Sequence, residues 1–171
     1  ALPGGRSPRE HLYGPRGYGA VSQAAQELRC MLIPLRAGRL VLPNAAVAEV
    51  IGYRDPDPVR AGDPWLQGKV SWHQRDILVI DFERMLGLPV TGAGIRQRIV
   101  VCYALDVDGQ WPLLGLVAQG IPRLLRVNSE MIESASSAPS DASPVQMRLT
   151  IGGEDLMVPD LSFLQAQLPA A

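Results

Sequence analysis

The sequence is poor in the residue types that most site chemistries need. It holds two cysteines and two histidines in 171 residues. Cys30 and Cys102 each lie inside an apolar run, far apart and outside any C-x-x-C, so they read as buried free thiols rather than a disulfide or a metal clip. His11 and His73 have no metal-ligand spacing. Neither G-x-S-x-G nor H-E-x-x-H occurs, which removes the local signatures of a nucleophile elbow and of a zinc peptidase. Lys69 is the only lysine, and the formal net charge is −1. Such a chain lacks the basic face that displaces counterions from phosphates, which argues against a nucleic-acid partner. No apolar run approaches the roughly 18 residues of a membrane span, and the N-terminus lacks the apolar stretch of a secretory signal. These absences predict a soluble, cytoplasmic protein with no direct membrane insertion and no cofactor.

What is present suffices for a core. Hydrophobic residues make up 47% and charged residues 19% of the chain, ordinary values for one globular domain or two small subdomains sharing a core. Residues 1–28 are rich in Pro and Gly and have no sustained period, so they are expected to form a flexible leader, with a short helix over 21–28 where Ala and Gln favour one. The chain opens on Ala1, as a fragment or a chain with added residues would. Order is expected from Arg29. The run CMLIPL, the turn Arg36 to Arg39 and the run LVLP predict a hairpin, with Gly38 supplying the positive φ. In NAAVAEVIGY, Val47, Val50 and Ile51 are placed on one helical turn passing into a strand. Three prolines between Asp55 and Pro64 predict a connecting loop.

Trp65 to Gly87 is the most informative stretch. Gly68 opens a strand over Val70 to Trp72, His73-Gln74-Arg75-Asp76 is the turn, and Ile77 to Ile80 is a second strand. Asp81 then caps a short helix with Phe82, Met85 and Leu86 on one face. Further strands are expected at Arg96 to Leu105, at Trp111 to Gln119 after a turn at Asp108-Gly109, and at Ile121 to Val127. Ser134 to Ser143 has no large apolar group and reads as a loop. Val145 to Ile151 and Leu156 to Val158 form a last hairpin around Gly152-Gly153, and Pro159-Asp160 opens a final helix.

The chain also resembles itself. ILVIDF at 77–82 matches LMVPDL at 156–161 with Asp81 and Asp160 in register, and Phe82 and Met85 stand against Leu161 and Leu164. LVLPNAAVAEVI at 40–51 sets against the run from Leu113, placing Val47 opposite Ile121 and Val50 opposite Leu124. A duplicated unit of five strands and a helix predicts a mainly β protein of two small barrel-like subdomains, each curled to remove its edges.

Candidate chemistry is thin. The glycines at 14, 17 and 19, or at 92 and 94, do not join a strand to a helix and read as loop punctuation rather than a phosphate cradle. Asp81 and Asp160 read as caps rather than a catalytic pair. Glu49 is a lone acid in an apolar run: either a solvent-facing position on a half-buried strand, or a charged spot in an interaction patch shared with Val47 and Ile51. Trp72, beside His73, is either core or an interface anchor.

On these residues the segment from about Arg29 to Leu168 resembles the CheW-like family of chemosensory adaptors. The likeness rests on V-x-E-V at Val47, Glu49 and Val50, on Gly68, on the apolar run ending at Asp81, on Leu86-Gly87, and on Gly115 to Val117. LIPL, LPNAAVAEVIGY and FE-x-x-LG look closest to ChpC-type members, which serve type IV pilus motility. The resemblance implies one domain over 29–168 made of two intertwined barrel subdomains, a short tail at 169–171, and two five-stranded SH3-like barrels related by a pseudo-twofold. It implies a non-catalytic adaptor that binds a histidine kinase regulatory domain and a chemoreceptor cytoplasmic tip. Val47, Glu49, Ile51, Trp72, His73 and Gln74 are the expected interaction residues. His73-Gln74 stands where the family usually has Arg-Gly, Leu78 where it has Pro, and Gln119 where it has Asp. Histidine offers fewer donors than the always-charged guanidinium, which points to a specialised adaptor. The alternative class is a small β-barrel ligand-binding domain or enzyme whose pocket the sequence does not advertise.

Overall fold

The computed structural model describes residues 26–60, 62–90, 92, 94–138 and 142–170. Eleven strands and two short helices occupy them: β1 (Leu28–Pro34), β2 (Arg39–Pro43), β3 (Val47–Gly52), β4 (Leu66–Trp72), β5 (Arg75–Ile80), α1 (Phe82–Met85), β6 (Arg98–Tyr103), β7 (Leu113–Ala118), β8 (Arg123–Val127), β9 (Ile132–Ser137), β10 (Val145–Ile151), β11 (Glu154–Pro159) and α2 (Leu161–Gln167). One sheet runs β8-β1-β2-β11-β10-β9 and the other β3-β6-β7-β5-β4.

The duplication is visible in these orders. Each sheet has a single parallel pair, β2 with β11 in one and β7 with β5 in the other, and every other pair is antiparallel. Aligned on that pair, β8-β1-β2-β11-β10 matches β3-β6-β7-β5-β4. In chain order one copy is β1 to β5 with α1, and the other is β6, β7, β8, β10 and β11 with α2. Each copy gives its first two strands to one sheet and its last three to the other. The halves are therefore intertwined, and neither sheet forms from one copy alone. The caps repeat as well: Asp81 accepts from the Arg84 N–H at 3.2 Å and Asp160 from the Phe163 N–H at 2.9 Å, with nearly equal backbone angles.

Three apolar clusters follow from strand alternation. In β6, Ile99 and Val101 enter a cluster inside the five-stranded sheet, while Val100 and Cys102 face the core between the sheets. A third cluster, with Leu32, Val41 and Leu156, fills the six-stranded sheet. Strands buried on both faces lose the polar half of the pattern, which is why ILVI and IVVC read as continuous apolar runs. Both cysteines are buried free thiols, and burial pushes Cys102 up to about 12.

Several expectations are corrected. The six-stranded sheet has one strand more than the five predicted. The extra strand, β9, covers Ser134 to Ser137, which had read as the start of a loop. Its side chains are almost all exposed, so no apolar signal marks it; backbone pairing to β10 and the Ser134 Oγ to Thr150 Oγ1 bond at 2.9 Å hold it. The turn expected over His73 to Asp76 is only His73-Gln74, because Trp72 pairs with Arg75 and Ser71 with Asp76. Both turn residues have positive φ, 46° and 63°, as a two-residue hairpin with right-handed strand twist requires. Val47 to Ile51 is strand throughout, and the helical turn falls earlier, at Asn44–Ala46. Leu28 opens β1, so the helix expected over 21–28 does not include it; residues 21–25 and most of the leader lie outside the described residues. The β6–β7 connection runs from Ala104 to Pro112, longer than a two-residue turn at Asp108-Gly109.

Gly68 has a specific reason to be glycine. Its φ is 135°, and a Cβ there would meet the Asp57 carbonyl oxygen at 2.2 Å. The proline-bearing loop pairs with β4 at that point, with Asp57 and Lys69 exchanging two backbone hydrogen bonds of 2.8 Å. The loop thus covers the outer edge of β4.

Candidate interaction surface

The edges of the five-stranded sheet are β3 and β4, and no backbone ladder joins them. Side chains do so instead. A bulge between Val47 and Glu49 sets Glu49 opposite Val101, on the face that lines the interior of this sheet. Across the gap, Trp72 Nε1 donates to Glu49 Oε2 at 2.6 Å, and His73 Nε2 lies 3.1 Å from the same oxygen. The Trp72 and His73 rings meet edge to face, with centroids 4.4 Å apart. The hydrogen bond from Trp72, and then that from His73, hold the Glu49 carboxyl below its ordinary value. The Glu49 side chain is 45% exposed and that of His73 69%, so the rim is accessible while it is bonded.

The six residues expected at an interaction surface do not share one face. Glu49, Trp72 and His73 are brought together, and Ile51 and Trp72 pack on the interior cluster of the five-stranded sheet. Val47 turns the other way and packs, with Val50, on the core between the sheets. Gln74 is exposed at the tip of the β4–β5 turn. Glu49 is exposed on a half-buried strand, and its neighbours are Trp72 and His73 rather than Val47. Trp72 is half-buried, packed on the interior cluster with its indole N–H turned to the rim. Leu78, where the family favours Pro, sits in β5 with a partner strand on each side.

A second polar group has no signal in the sequence. Arg36, in the β1–β2 turn, lies 3.2 Å from Glu83 Oε2 and 3.6 Å from Asp81 Oδ2, and Glu83 Oε1 accepts from the Ala37 N–H at 2.7 Å. Arg84 approaches Asp81 Oδ2 at 3.4 Å. With its amide oxygen turned to Arg36, Gln119 accepts from both guanidinium Nη atoms at 3.1 Å. Glu83 and Arg36 are 47 residues apart, and no local pattern announces the pair.

Two concavities accompany these groups. A cleft of about 300 Å³ is lined by Tyr53, Asp55, Asp81, Arg84 and Gln97 among others, and Asp81 and Arg84 are already paired with each other. A groove of about 660 Å³ lies between Leu86 and Leu88 on one side and Ser134, Arg148 and Thr150 on the other. Among the described residues no group of three or more His, Cys, Asp or Glu is arranged to hold a metal ion, and no helix is long and apolar enough to cross a membrane.

Two interlocked sheets built from one repeated unit, with a Glu-Trp-His rim joining the edges of one of them, define a duplicated β module. The model of the CheW-like domain matches residues 29–167, and the chain belongs to that family. Among solved structures it is similar to the scaffolding protein TtCheW from Thermoanaerobacter tengcongensis, with a TM-score of 0.69 and 19% identity over 81% of this chain and 92% of that one. At that identity the likeness concerns the fold. No curated protein matches the chain in sequence.

Proposed function

We propose that the chain is a non-catalytic chemosensory adaptor that works in the cytoplasm, coupling the cytoplasmic tip of a chemoreceptor to the regulatory domain of a histidine kinase. The observation that carries this reading is the family match over 29–167, which spans both sheets. Under it the sheets correspond to the family's SH3-like barrels, and of the six expected residues Glu49, Trp72, His73 and Gln74 form the interaction surface, with Val47 and Ile51 packed beneath it. The rim supports the reading. His73 stands where the family usually has arginine, and it meets Glu49 with fewer donors than a guanidinium offers. That change, with the ChpC-like wording of the first strands, is the basis for proposing a pathway of pilus-driven motility.

Titration calorimetry of the chain against the regulatory domain of the kinase from the same cell tests the proposal. Binding is expected, and Glu49→Lys should weaken it about tenfold or more while circular dichroism stays unchanged. His73→Arg should alter partner preference with little change in stability. A chain that binds neither kinase nor receptor at high micromolar concentration would refute the reading.

A further inference from the structure

Arg36 belongs to the six-stranded sheet, yet its guanidinium serves the other one. It contacts Glu83 and Asp81 at α1, donates from Nε to the Gly92 carbonyl at 3.0 Å, and meets Gln119 at the end of β7. The Gln119 N–H in turn donates to the Pro34 carbonyl at 2.8 Å, closing the circuit back to β1. The Glu83 side chain is 3% exposed and that of Arg36 17%, so separating them would strand a carboxylate in a nearly dry place. Capping does not require this arrangement. The repeat puts Ser162 where Glu83 stands, and α2 is capped by Asp160 without an ion pair among the described residues.

We propose that the Arg36–Glu83 network is a conformational clamp that ties α1 and the segment at Gly92 to the β1–β2 turn, so that the two sheets open as one cooperative unit. Apolar packing between the sheets is non-directional and tolerates sliding. A guanidinium bonded to three separate segments does not, since its planar fork fixes direction as well as distance. The clamp is independent of what the chain binds.

Hydrogen exchange of the full chain at neutral pH tests this. In the native chain, the amides of Ala37 and of Met85 to Leu88 should exchange at rates close to those of Ile99 to Cys102. Glu83→Gln is expected to speed exchange at the first group at least tenfold and at the second less than threefold. Arg36→Lys, which keeps the charge and loses the fork, should show the same split in weaker form and remains informative if Glu83→Gln does not fold. Unchanged exchange near α1 in either variant would overturn the clamp. So would an equal acceleration at both groups, which would mean that the pair contributes only general stability.

Discussion

At the scale of single residues, Glu49 concentrates the chemistry of the surface. Trp72 at the end of β4 and His73 in the turn that follows lower its folded pKa from the ordinary 4.5, with Trp72 the larger cause. A group held below its unfolded value stabilises the fold above that value and loses the contribution as pH falls through the folded one. The contact should therefore be intact at neutral pH and fail below pH 4.5. The indole N–H resonance of Trp72, followed by NMR, should titrate with a midpoint under 4.5 and stop titrating in Glu49→Gln; a midpoint at or above 4.5 would count against the bond. Gln74 offers a second test. Its φ of 63° is cheap only for glycine, which the family usually has there. Gln74→Gly should stabilise the chain by about 0.5–1 kcal/mol, a rise of roughly 2–3 °C in thermal scans. Glu49 was conspicuous in the sequence as a lone acid among apolar residues. Its donors were not assigned to it, because β3 and β4 meet through curvature rather than through pairing.

At the scale of elements, the two caps and the one glycine make separable predictions. Asp160→Ala should cost about 1 kcal/mol, the usual worth of a cap. Asp81→Ala should cost roughly 2–3 kcal/mol, since Asp81 is buried and also faces Arg36 and Arg84. Urea denaturation of the two variants measures the difference, and equal losses would show that the ion pairs add nothing. Gly68→Ala should destabilise by roughly 2–4 kcal/mol, because its Cβ would strike backbone rather than a movable side chain. Elements with an apolar period, a cap or a turn glycine were legible: β4, β5, both helices and the last hairpin lie close to where the sequence places them. β9 was not. A strand of Ser and Ala at a sheet edge buries almost nothing, and only its backbone partner distinguishes it from a loop.

At the scale of the whole molecule, the repeat was visible in ILVIDF and LMVPDL, and it predicted two related units of mainly β structure. The repeat itself does not show that each unit splits its strands between both sheets; only the family resemblance implied intertwined subdomains. Such an exchange leaves no mark on local periodicity, since a strand's pattern records which faces are buried and not which strand lies beside it. The same limit hid Arg36 and Glu83, which tertiary structure alone brings together. Interlocking also bears on function under the proposed reading: a scaffold whose sheets are assembled from both copies offers partners two surfaces that are mechanically joined.

The proposed role is tested most directly by reconstituting autophosphorylation of the kinase from the same cell with receptor signalling tips, with and without this chain. The account predicts that the chain raises kinase activity only when receptor is present, and that Glu49→Lys abolishes the increase while the protein stays folded. A kinase whose activity is the same with and without the chain, at concentrations saturating for receptor, would contradict it.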